Sequence, residues 1–252
     1  MNTQIINKLN KIEADSGVRI LFACESGSRG WQFPSLDSDY DVRFIFIRPL
    51  NDYLSISQQG EQIGFPISDE LDIFGWDIRK MLRLIQKSNT TPLEWLQSPI
   101  VYSQQPQFRD ELWAICGKYF NRSVAIRHYL GIARTAMGTM GNFNEIVIKK
   151  LFYVIRSLLT AKWCSEKNTI APMSIYALLP LMPDKLQQIT NDLIICKSKA
   201  PEGFIVQIEP ELLTYLNREF EAFTQFSEEK SKLIFDAEPL DIFFRKWVRP
   251  SF

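Results

Sequence analysis

Two aspartates one residue apart, Asp39 and Asp41, follow a glycine–serine pair, Gly27 and Ser28, that comes after an apolar segment. Side chains alternate along a strand, so the two aspartates are expected to project to the same face. They repel each other unless a cation is present, and Mg²⁺ suits them because it takes one or two protein carboxylates and fills its shell with water and phosphate oxygens. A glycine after a strand lets backbone amides approach a phosphate, and the serine hydroxyl donates one more hydrogen bond. The pattern predicts a site for magnesium and phosphate.

A third carboxylate is expected if this site performs chemistry. Asp72 has apolar neighbours on both sides in a predicted strand, and its plainer interpretation is an edge-strand charge that faces solvent. If the strands are adjacent, Asp72 joins the first two aspartates, and three carboxylates can hold two metal ions roughly 3.5–4 Å apart for in-line phosphoryl transfer. Asp69 and Glu70 lie nearby and leave the third carboxylate open, whereas Asp77 is better explained as a helix N-cap.

The elements that must position these residues alternate between helices and strands over the first hundred residues. Apolar spacing predicts an opening helix near 5–12, strands at 18–24 and 41–47, and a third strand or a hairpin within 64–76. Beyond residue 105 the spacing is helical, in the segments 107–119, 122–138, 143–164, 174–180, 183–195 and 209–226. We predict an α+β fold with a mixed-sheet domain at 1–103 and an α-helical domain at 104–252, divided in the polar stretch 102–106.

Composition narrows the class of protein. The 252 residues carry a formal net charge of zero, which excludes nucleic-acid binding by bulk charge and leaves room for a local basic face. No segment approaches the ~18 apolar residues of a membrane span, and the N-terminus lacks the apolar core of a secretory signal, so we expect a cytoplasmic protein without membrane contact. The single histidine, His128, excludes zinc hydrolases that need several. The four widely spaced cysteines are expected to be free thiols.

Longer strings around these residues resemble one superfamily. They read GSRGWQF, DSDYDVRFIF, LDIFGWDIRKML and LEWLQSPIVY. With them the chain is similar to the DNA polymerase beta-type nucleotidyltransferases, and to a branch of predicted nucleotidyltransferases of which some are associated with RNA ligases in RNA repair. The resemblance covers residues 20–103 and, more loosely, the helix at 145–163. It implies a polymerase beta-like palm for the mixed-sheet domain.

By position, the resemblance implies roles for five residues. Gly27 and Ser28 would contact the nucleotide phosphates, and Asp39 and Asp41 would ligate both metal ions. Asp72 would ligate the catalytic metal ion and favour deprotonation of the acceptor hydroxyl. The implied cofactor is Mg²⁺ or Mn²⁺, and the implied substrate is a nucleoside triphosphate.

Basic residues near this pattern each have two interpretations. Arg29 could meet a triphosphate at a helix start or stay solvated, and Arg43 could hold phosphate or neutralise the aspartates. Further along, Lys149, Tyr153 and Arg156 share one helical stripe. A polar stripe is ordinarily a solvated face. Because the resemblance places this helix near the cleft, its two cations could instead touch phosphate while the tyrosine packs near the base.

The sequence thus predicts a metal-dependent nucleotidyltransferase that moves a nucleoside monophosphate from an NTP to an acceptor hydroxyl and releases pyrophosphate. By resemblance the acceptor is an RNA 3′ end, and a small molecule or a protein hydroxyl are the alternatives. A nucleotide-binding, antitoxin-like partner protein with little turnover also fits, although such a protein has no need of Asp72. The preferred nucleotide and the oligomeric state stay open.

Overall fold

The computed structural model describes residues 1–67, 70–141, 144–226 and 235–249. These residues form an α+β structure with a five-stranded sheet of mixed orientation, a two-stranded sheet and many helices. The predicted fold class, a mixed-sheet α+β region together with an α-helical region, is confirmed.

The chain divides into two compact units, each of which draws on separate stretches of sequence. Unit 1 comprises residues 1–27, 39–119 and the described residues from 235 onward, and unit 2 comprises residues 28–38 and the described residues between 120 and 226. The expected boundary at 103/104 falls inside unit 1. The sequence-derived domain limits therefore differ from the limits of these units and stay a prediction.

Unit 1 is built on the five-stranded sheet. Its strands are β1 (Arg19–Glu25), β2 (Tyr40–Ile47), β3 (Gln62–Gly64), β4 (Leu71–Asp77) and β5 (Val101–Gln104), in the order β3-β4-β2-β1-β5. Strands β2 and β4 are parallel, and the other neighbouring pairs are antiparallel. Of the three inner strands, β1 and β2 are rich in aromatic and β-branched residues and are mostly buried, which suits the middle of a sheet covered on both faces. The three predicted strands are thus present and adjacent.

Two details of the sheet differ from the sequence analysis. The polar stretch 102–106, in which the two predicted domains are divided, overlaps β5, which pairs with β1 at the sheet edge. A four-residue edge strand of mixed polarity is too short to show a period. Asp39 lies immediately before β2, which begins at Tyr40, so the two aspartates do not belong to one strand.

Helices cover the sheet of unit 1 and are listed here in chain order: α1 (Asn2–Ser16), α3 (Leu50–Leu54), α4 (Ile78–Gln86), α5 (Thr90–Gln97), α6 (Phe108–Cys116) and α12 (Glu238–Val248), with the short α2 (Gly27–Gly30) beginning at the last residue before the sequence of unit 2. Helix α1 buries Ile5, Leu9 and Ile12 in the same core as the apolar side chains of β1 and β2. Asp77 accepts a hydrogen bond from the backbone N–H of Arg79 at 2.8 Å, which confirms the predicted N-cap of α4.

Unit 2 consists of helices α7 (Arg122–Met137), α8 (Ile148–Lys167), α9 (Ile175–Leu178), α10 (Asp184–Lys199) and α11 (Pro210–Phe226), with a strand pair β6 (Glu145–Val147) and β7 (Ile205–Gln207). Its core lies around α7 and α8 and includes Phe33 from the 28–38 segment. The predicted helix at 143–164 begins only at Ile148, because 145–147 pair as β6; residue 143 lies outside the described residues.

The cysteines follow the sequence expectation. All four are free thiols, and Cys24, Cys116 and Cys164 are buried. Burial raises the pKa of Cys116 and of Cys164 to about 12, so both thiols are protonated and unreactive at neutral pH. Among the described helices, none has the length and apolar character needed to cross a membrane.

Candidate active site

The centre of the candidate site is a pair of aspartates on neighbouring parallel strands of unit 1. Asp41 on β2 and Asp72 on β4 are register partners, so the sheet brings their side chains to one place. Nη2 of Arg43 lies 2.8 Å from Oδ1 of Asp41 and 2.7 Å from Oδ2 of Asp72. One guanidinium group therefore bridges both carboxylates. The neutralising role of Arg43 accounts for this contact, and its contact with nucleotide phosphate stays a prediction.

The turn after β1 wraps around Asp41. Gly27 has a φ of 56°, in the left-handed region, and a Cβ at this position would collide with the Asp41 carboxylate. The backbone N–H of Ser26 donates to the carbonyl of Asp41 at 2.8 Å. Glycine is required here for both reasons, since it alone combines this φ with such a close approach. The turn therefore packs directly against the Asp41 carboxylate.

Glu25 is a participant that the sequence reasoning missed. Its side chain is fully buried. Oε1 accepts the backbone N–H of Asp41 at 2.8 Å, and Oε2 accepts the hydroxyl of Tyr102. Ser98 donates to the carbonyl of Glu25 at 2.6 Å. Glu25 thus ties the end of β1 to the start of β2. The available signal was an acidic residue that ends an apolar strand directly before the turn.

The expected cluster of three carboxylates is not assembled as a unit. Among the residues that the structure describes, no group of three or more histidine, cysteine, aspartate or glutamate side chains is placed to hold a metal ion. Asp39 lies one residue before β2, and Asp69 lies outside the described residues. The pair itself fits a single divalent cation, because its hard oxygen donors already share one positive group and Mg²⁺ needs only one or two protein carboxylates.

Ser28 and Arg29 belong to unit 2, where they contact the end of their own segment. The Ser28 hydroxyl lies 3.1 Å from the Ser38 hydroxyl. Arg29 donates through Nη2 to the carbonyl of Ser38 at 2.8 Å, so it is engaged by backbone and is not simply solvated. The turn residue Asp37 accepts the backbone N–H of Glu202 at 2.8 Å.

The predicted polar stripe of α8 is not a solvated face. Arg156 is only 3% exposed; it donates to the carbonyl of Met173 at 3.2 Å and lies 4.5 Å from the ring centroid of Trp31. Tyr153 meets the Trp31 ring edge-on, with 5.6 Å between centroids. Lys149 forms an ion pair with Glu202. Contact of these three side chains with a nucleotide stays a prediction.

A buried lysine of unit 2 was not singled out from the sequence. Lys197 is fully buried, donates to the Ser35 hydroxyl at 2.7 Å and lies 5.6 Å from the ring centroid of Phe33. Burial lowers its pKa to about 8, while Glu202 opposes that shift by favouring the charged form. Lysine near the end of a helix carried no sequence signal for this role, since its partner lies 162 residues away.

A separate cavity of about 580 Å³ lies in unit 1, lined among others by Arg48, Tyr53, Arg79 and Phe244. Asp77 contributes to its wall and accepts the Tyr53 hydroxyl at 2.8 Å. Burial raises the pKa of the Asp77 carboxyl. Asp72 and Asp77 lie five residues apart on β4, so the cavity and the carboxylate pair are separated by about 16 Å of strand.

The model of one protein family matches residues 1–246 of this chain, and the family is described as RlaP, the RNA repair pathway DNA polymerase beta family. Among curated proteins the chain is similar to the uncharacterized protein YcgL of Bacillus subtilis (strain 168). The two are 44% identical over 179 residues, which cover 71% of this chain and 69% of YcgL. The resemblance that the sequence suggested is confirmed by the family match.

Among solved structures the chain is similar to a nucleotidyltransferase-like protein from Exiguobacterium sibiricum 255-15. The identity is 11%, the similarity covers 98% of this chain and 81% of that chain, and the TM-score is 0.32. A TM-score this low does not establish that the two proteins share a fold.

Proposed function

Because this chain belongs to the RNA repair pathway DNA polymerase beta family, we propose that it is a nucleotidyltransferase that moves a nucleoside monophosphate from an NTP to an acceptor hydroxyl. The observation that carries this proposal is the Asp41–Asp72 pair, held in register beside the turn at Gly27. Two carboxylates that need a shared cation suit a site for a metal-bound triphosphate. They have no evident use in a sheet that serves only as a scaffold.

Asp41 and Asp72 are the residues that would hold Mg²⁺ or Mn²⁺. A divalent cation bound there would neutralise charge on the triphosphate and lower the pKa of the acceptor hydroxyl. In the structure Arg43 bridges the two carboxylates. If a cation took over that role, the planar donors of Arg43 would be available to a phosphate oxygen.

In the reaction itself, the acceptor oxygen forms a bond to the α-phosphorus while the bond from that phosphorus to the bridging oxygen of the β-phosphate breaks. Pyrophosphate leaves, and Asp72 accepts the proton of the acceptor hydroxyl before passing it to solvent. Gly27 keeps the turn against Asp41, and Glu25 fixes the Asp41 backbone. Catalysis comes from position and charge compensation.

We propose an RNA 3′ end as the acceptor, which the description of the family as an RNA repair family supports. The net charge of zero gives little long-range attraction for RNA. Contact with RNA then depends on a local basic group within unit 2, for which the candidates are Arg127, Arg134, Lys149 and Lys150, since Arg156 is buried.

The test is transfer of label from each of the four α-³²P-labelled NTPs, with Mg²⁺ or Mn²⁺, to a mixture of total RNA and cell lysate. The Asp41→Asn/Asp72→Asn double variant runs alongside, with Asp110→Asn as a matched control because Asp110 is an exposed carboxylate of the same unit. We expect RNase to remove the label. The double variant should give no label, and Asp110→Asn should give as much label as the wild type. Label that protease removes would replace RNA by a protein acceptor, and NTP binding without any transfer would favour a binding protein.

A further inference from the structure

A second cavity of unit 1 lies at the end of the sheet opposite the carboxylate pair. It has a volume of about 320 Å³, and its lining includes Arg19, Arg48, Trp247 and Arg249. Arg19 begins β1 and pairs with Ile47, the last residue of β2, and the end of α12 supplies Trp247 and Arg249. Arg48 comes seven residues after Asp41, which is about 23 Å of strand. This cavity is therefore distinct from the candidate active site.

The described lining of this cavity is positively charged. It contains three arginines and neither aspartate nor glutamate. Arg19 donates through Nη2 to the side-chain oxygen of Gln105 at 2.9 Å, and Arg48 donates to the carbonyl of Gly60 at 3.0 Å. Both acceptors are neutral. Within the part of the chain that the structure describes, none of the three guanidinium groups has an ion-pair partner.

Acidic residues close to this cavity are engaged elsewhere. Glu13 accepts the backbone N–H of Ile20 at 2.6 Å, and Asp15 pairs with Lys11 at 3.2 Å. Asp77 acts electrostatically on Arg48 but lies on the wall of the larger cavity. The three positive charges are thus left for a ligand to balance.

Two side chains in this lining also carry buried hydrogen-bond donors. Nε of Arg48 and Nε1 of Trp247 are buried, and neither has an acceptor among the residues that the structure describes. Buried donors are nearly always paired in folded proteins, because leaving one unpaired costs free energy. Two such donors beside one cavity favour a ligand that brings acceptor oxygens.

We propose that this cavity binds a phosphate monoester about the size of a mononucleotide, with its phosphate group held by Arg19, Arg48 and Arg249. The planar donors of arginine match phosphate oxygens. A monoester carries a charge of about −1.5 to −2 at neutral pH, so it balances three arginines better than the single charge of a phosphodiester. This site is separate from the proposed transfer reaction and does not depend on it.

The size of the cavity and the rest of its wall indicate the remainder of the ligand. A volume of about 320 Å³ holds about ten water molecules at ~30 Å³ each, which is more than a phosphate group fills. Val18, Leu50, Val248 and the Trp247 ring contribute apolar surface to the lining. An apolar wall with a few charged groups suits a phosphate that is attached to a ring.

The experiment measures the binding of adenosine 5′-monophosphate by calorimetry in EDTA, so that binding which needs a divalent cation does not contribute. Adenosine without the phosphate should bind about tenfold more weakly or not at all. Arg19→Gln and Arg249→Gln should each weaken binding about three- to tenfold, because each removes one charged donor of the phosphate. Both side chains are exposed, and thermal unfolding of each variant checks that it folds.

The matched control is Arg245→Gln. Arg245 is an exposed arginine of the same helix, α12, where it pairs with Glu238 at 2.7 Å outside the described lining of the cavity. This variant should bind adenosine 5′-monophosphate like the wild type. An equal loss in Arg245→Gln would mean that the ligand responds to general charge, and would overturn the proposed site.

The indole N–H signal of Trp247 in a ¹⁵N-resolved NMR spectrum locates the binding. The signal is identified by its disappearance in Trp247→Phe. It should move as adenosine 5′-monophosphate is added to the wild type, and the movement should need more ligand in Arg19→Gln and Arg249→Gln. Binding that leaves this signal in place would lie elsewhere and would overturn the proposal.

A pair of short oligoribonucleotides, one with a 5′-phosphate and one with a 5′-hydroxyl, distinguishes the sources of the phosphate. Tighter binding of the 5′-phosphorylated oligoribonucleotide than of adenosine 5′-monophosphate would support the site and identify an RNA end as its ligand. Equal or weaker binding would support it as a site for a small phosphate ester. A wild-type protein that binds neither of these two ligands would overturn the proposal and leave the proposed nucleotidyl transfer unaffected.

Discussion

The Asp41–Asp72 pair of unit 1 and the contact between Ser38 and Glu202 in unit 2 both join residues that are far apart in the sequence, but by different means. Asp41 and Asp72 meet because two parallel strands are in register, and their side chains remain partly exposed at 28% each. Ser38 and Glu202 are 164 residues apart in sequence and meet only because a segment packs into a helical unit. In the sheet, the register of the strands determines which side chains meet. In the helical unit, the packing of the 28–38 segment determines it.

The difference has a thermodynamic consequence. The carboxylate pair is compensated by an arginine that solvent can also reach, so either partner can be released at modest cost. In unit 2, Lys197, which contacts Ser35 of the 28–38 segment, is fully buried. Breaking the contacts of a buried charge costs a large amount of free energy. We therefore expect the pair to respond to ligands and the buried lysine to respond to pH.

The largest expected effect concerns the pair. Asp41→Asn or Asp72→Asn should lower nucleotidyl transfer by about 10²–10³-fold, because an aligned charge is lost where the transition state needs it. The rate is measured under single-turnover conditions at saturating NTP and metal. The control Asp110→Asn should keep its rate, and a normal rate in Asp41→Asn would contradict the assignment of the pair.

The second effect tests the buried lysine. Lys197 has a folded-state pKa of about 8 against an ordinary value near 10.4, so the unfolded chain binds the proton more tightly. The free energy of unfolding should therefore rise as pH increases from about 8 to about 10.5, by on the order of 3 kcal/mol, and be flat below that window. Denaturant unfolding of wild type and Lys197→Met across this range gives the difference. Parallel curves for the two proteins would contradict it.

Gly27→Ala comes next. A Cβ would collide with the Asp41 carboxylate and would also hold alanine at a positive φ, so we expect a loss of about 1–3 kcal/mol of stability and loss of transfer activity. The matched control is Gly117→Ala in the same unit, since a Cβ there meets nothing within 4 Å. Equal melting temperatures for the two variants would show that the turn is not fixed against Asp41.

The smallest effect separates the two roles of Arg43. Arg43→Gln removes the cation that bridges Asp41 and Asp72 and should destabilise the metal-free protein by about 1 kcal/mol. Added Mg²⁺ should then raise its melting temperature more than that of the wild type, because in the variant no Arg43 guanidinium competes with the ion for the two carboxylates. Thermal unfolding with and without Mg²⁺ measures this, and an identical shift in both proteins would exclude a cation site at the pair.

Sequence reasoning predicted the parts of the molecule whose signal is local. The spacing of apolar residues located β1, β2 and β4, and the turn at Gly27 followed from residue type. The proximity of Asp72 to Asp41 could be predicted only on the condition that their strands are neighbours, because the alternation of side chains along a strand does not reveal the order of the strands. The structure supplies that order and adds Arg43 as the bridge.

The remainder depended on contacts that no local pattern contains. The α8 stripe looked polar, yet Arg156 is buried against Trp31 because the 28–38 segment packs on that helix. The role of Glu25 likewise depends on a tertiary contact, the pairing of β1 with β2. In the same way, the short strands β5 and β6 exist because a partner strand is present, since their own three or four residues carry too weak a propensity.

The discontinuous build of unit 1 has a consequence for the order of folding during synthesis. Phe108 of α6 packs against Phe243 of α12, with 5.6 Å between ring centroids, so this part of the core waits until the ribosome has made more than a hundred further residues. The 28–38 segment likewise waits for Lys197 of α10. Synthesis proceeds at about 5–20 residues per second. The β1–β2 region of a nascent chain is therefore outside the ribosome for some seconds before the residues that complete either unit leave the exit tunnel.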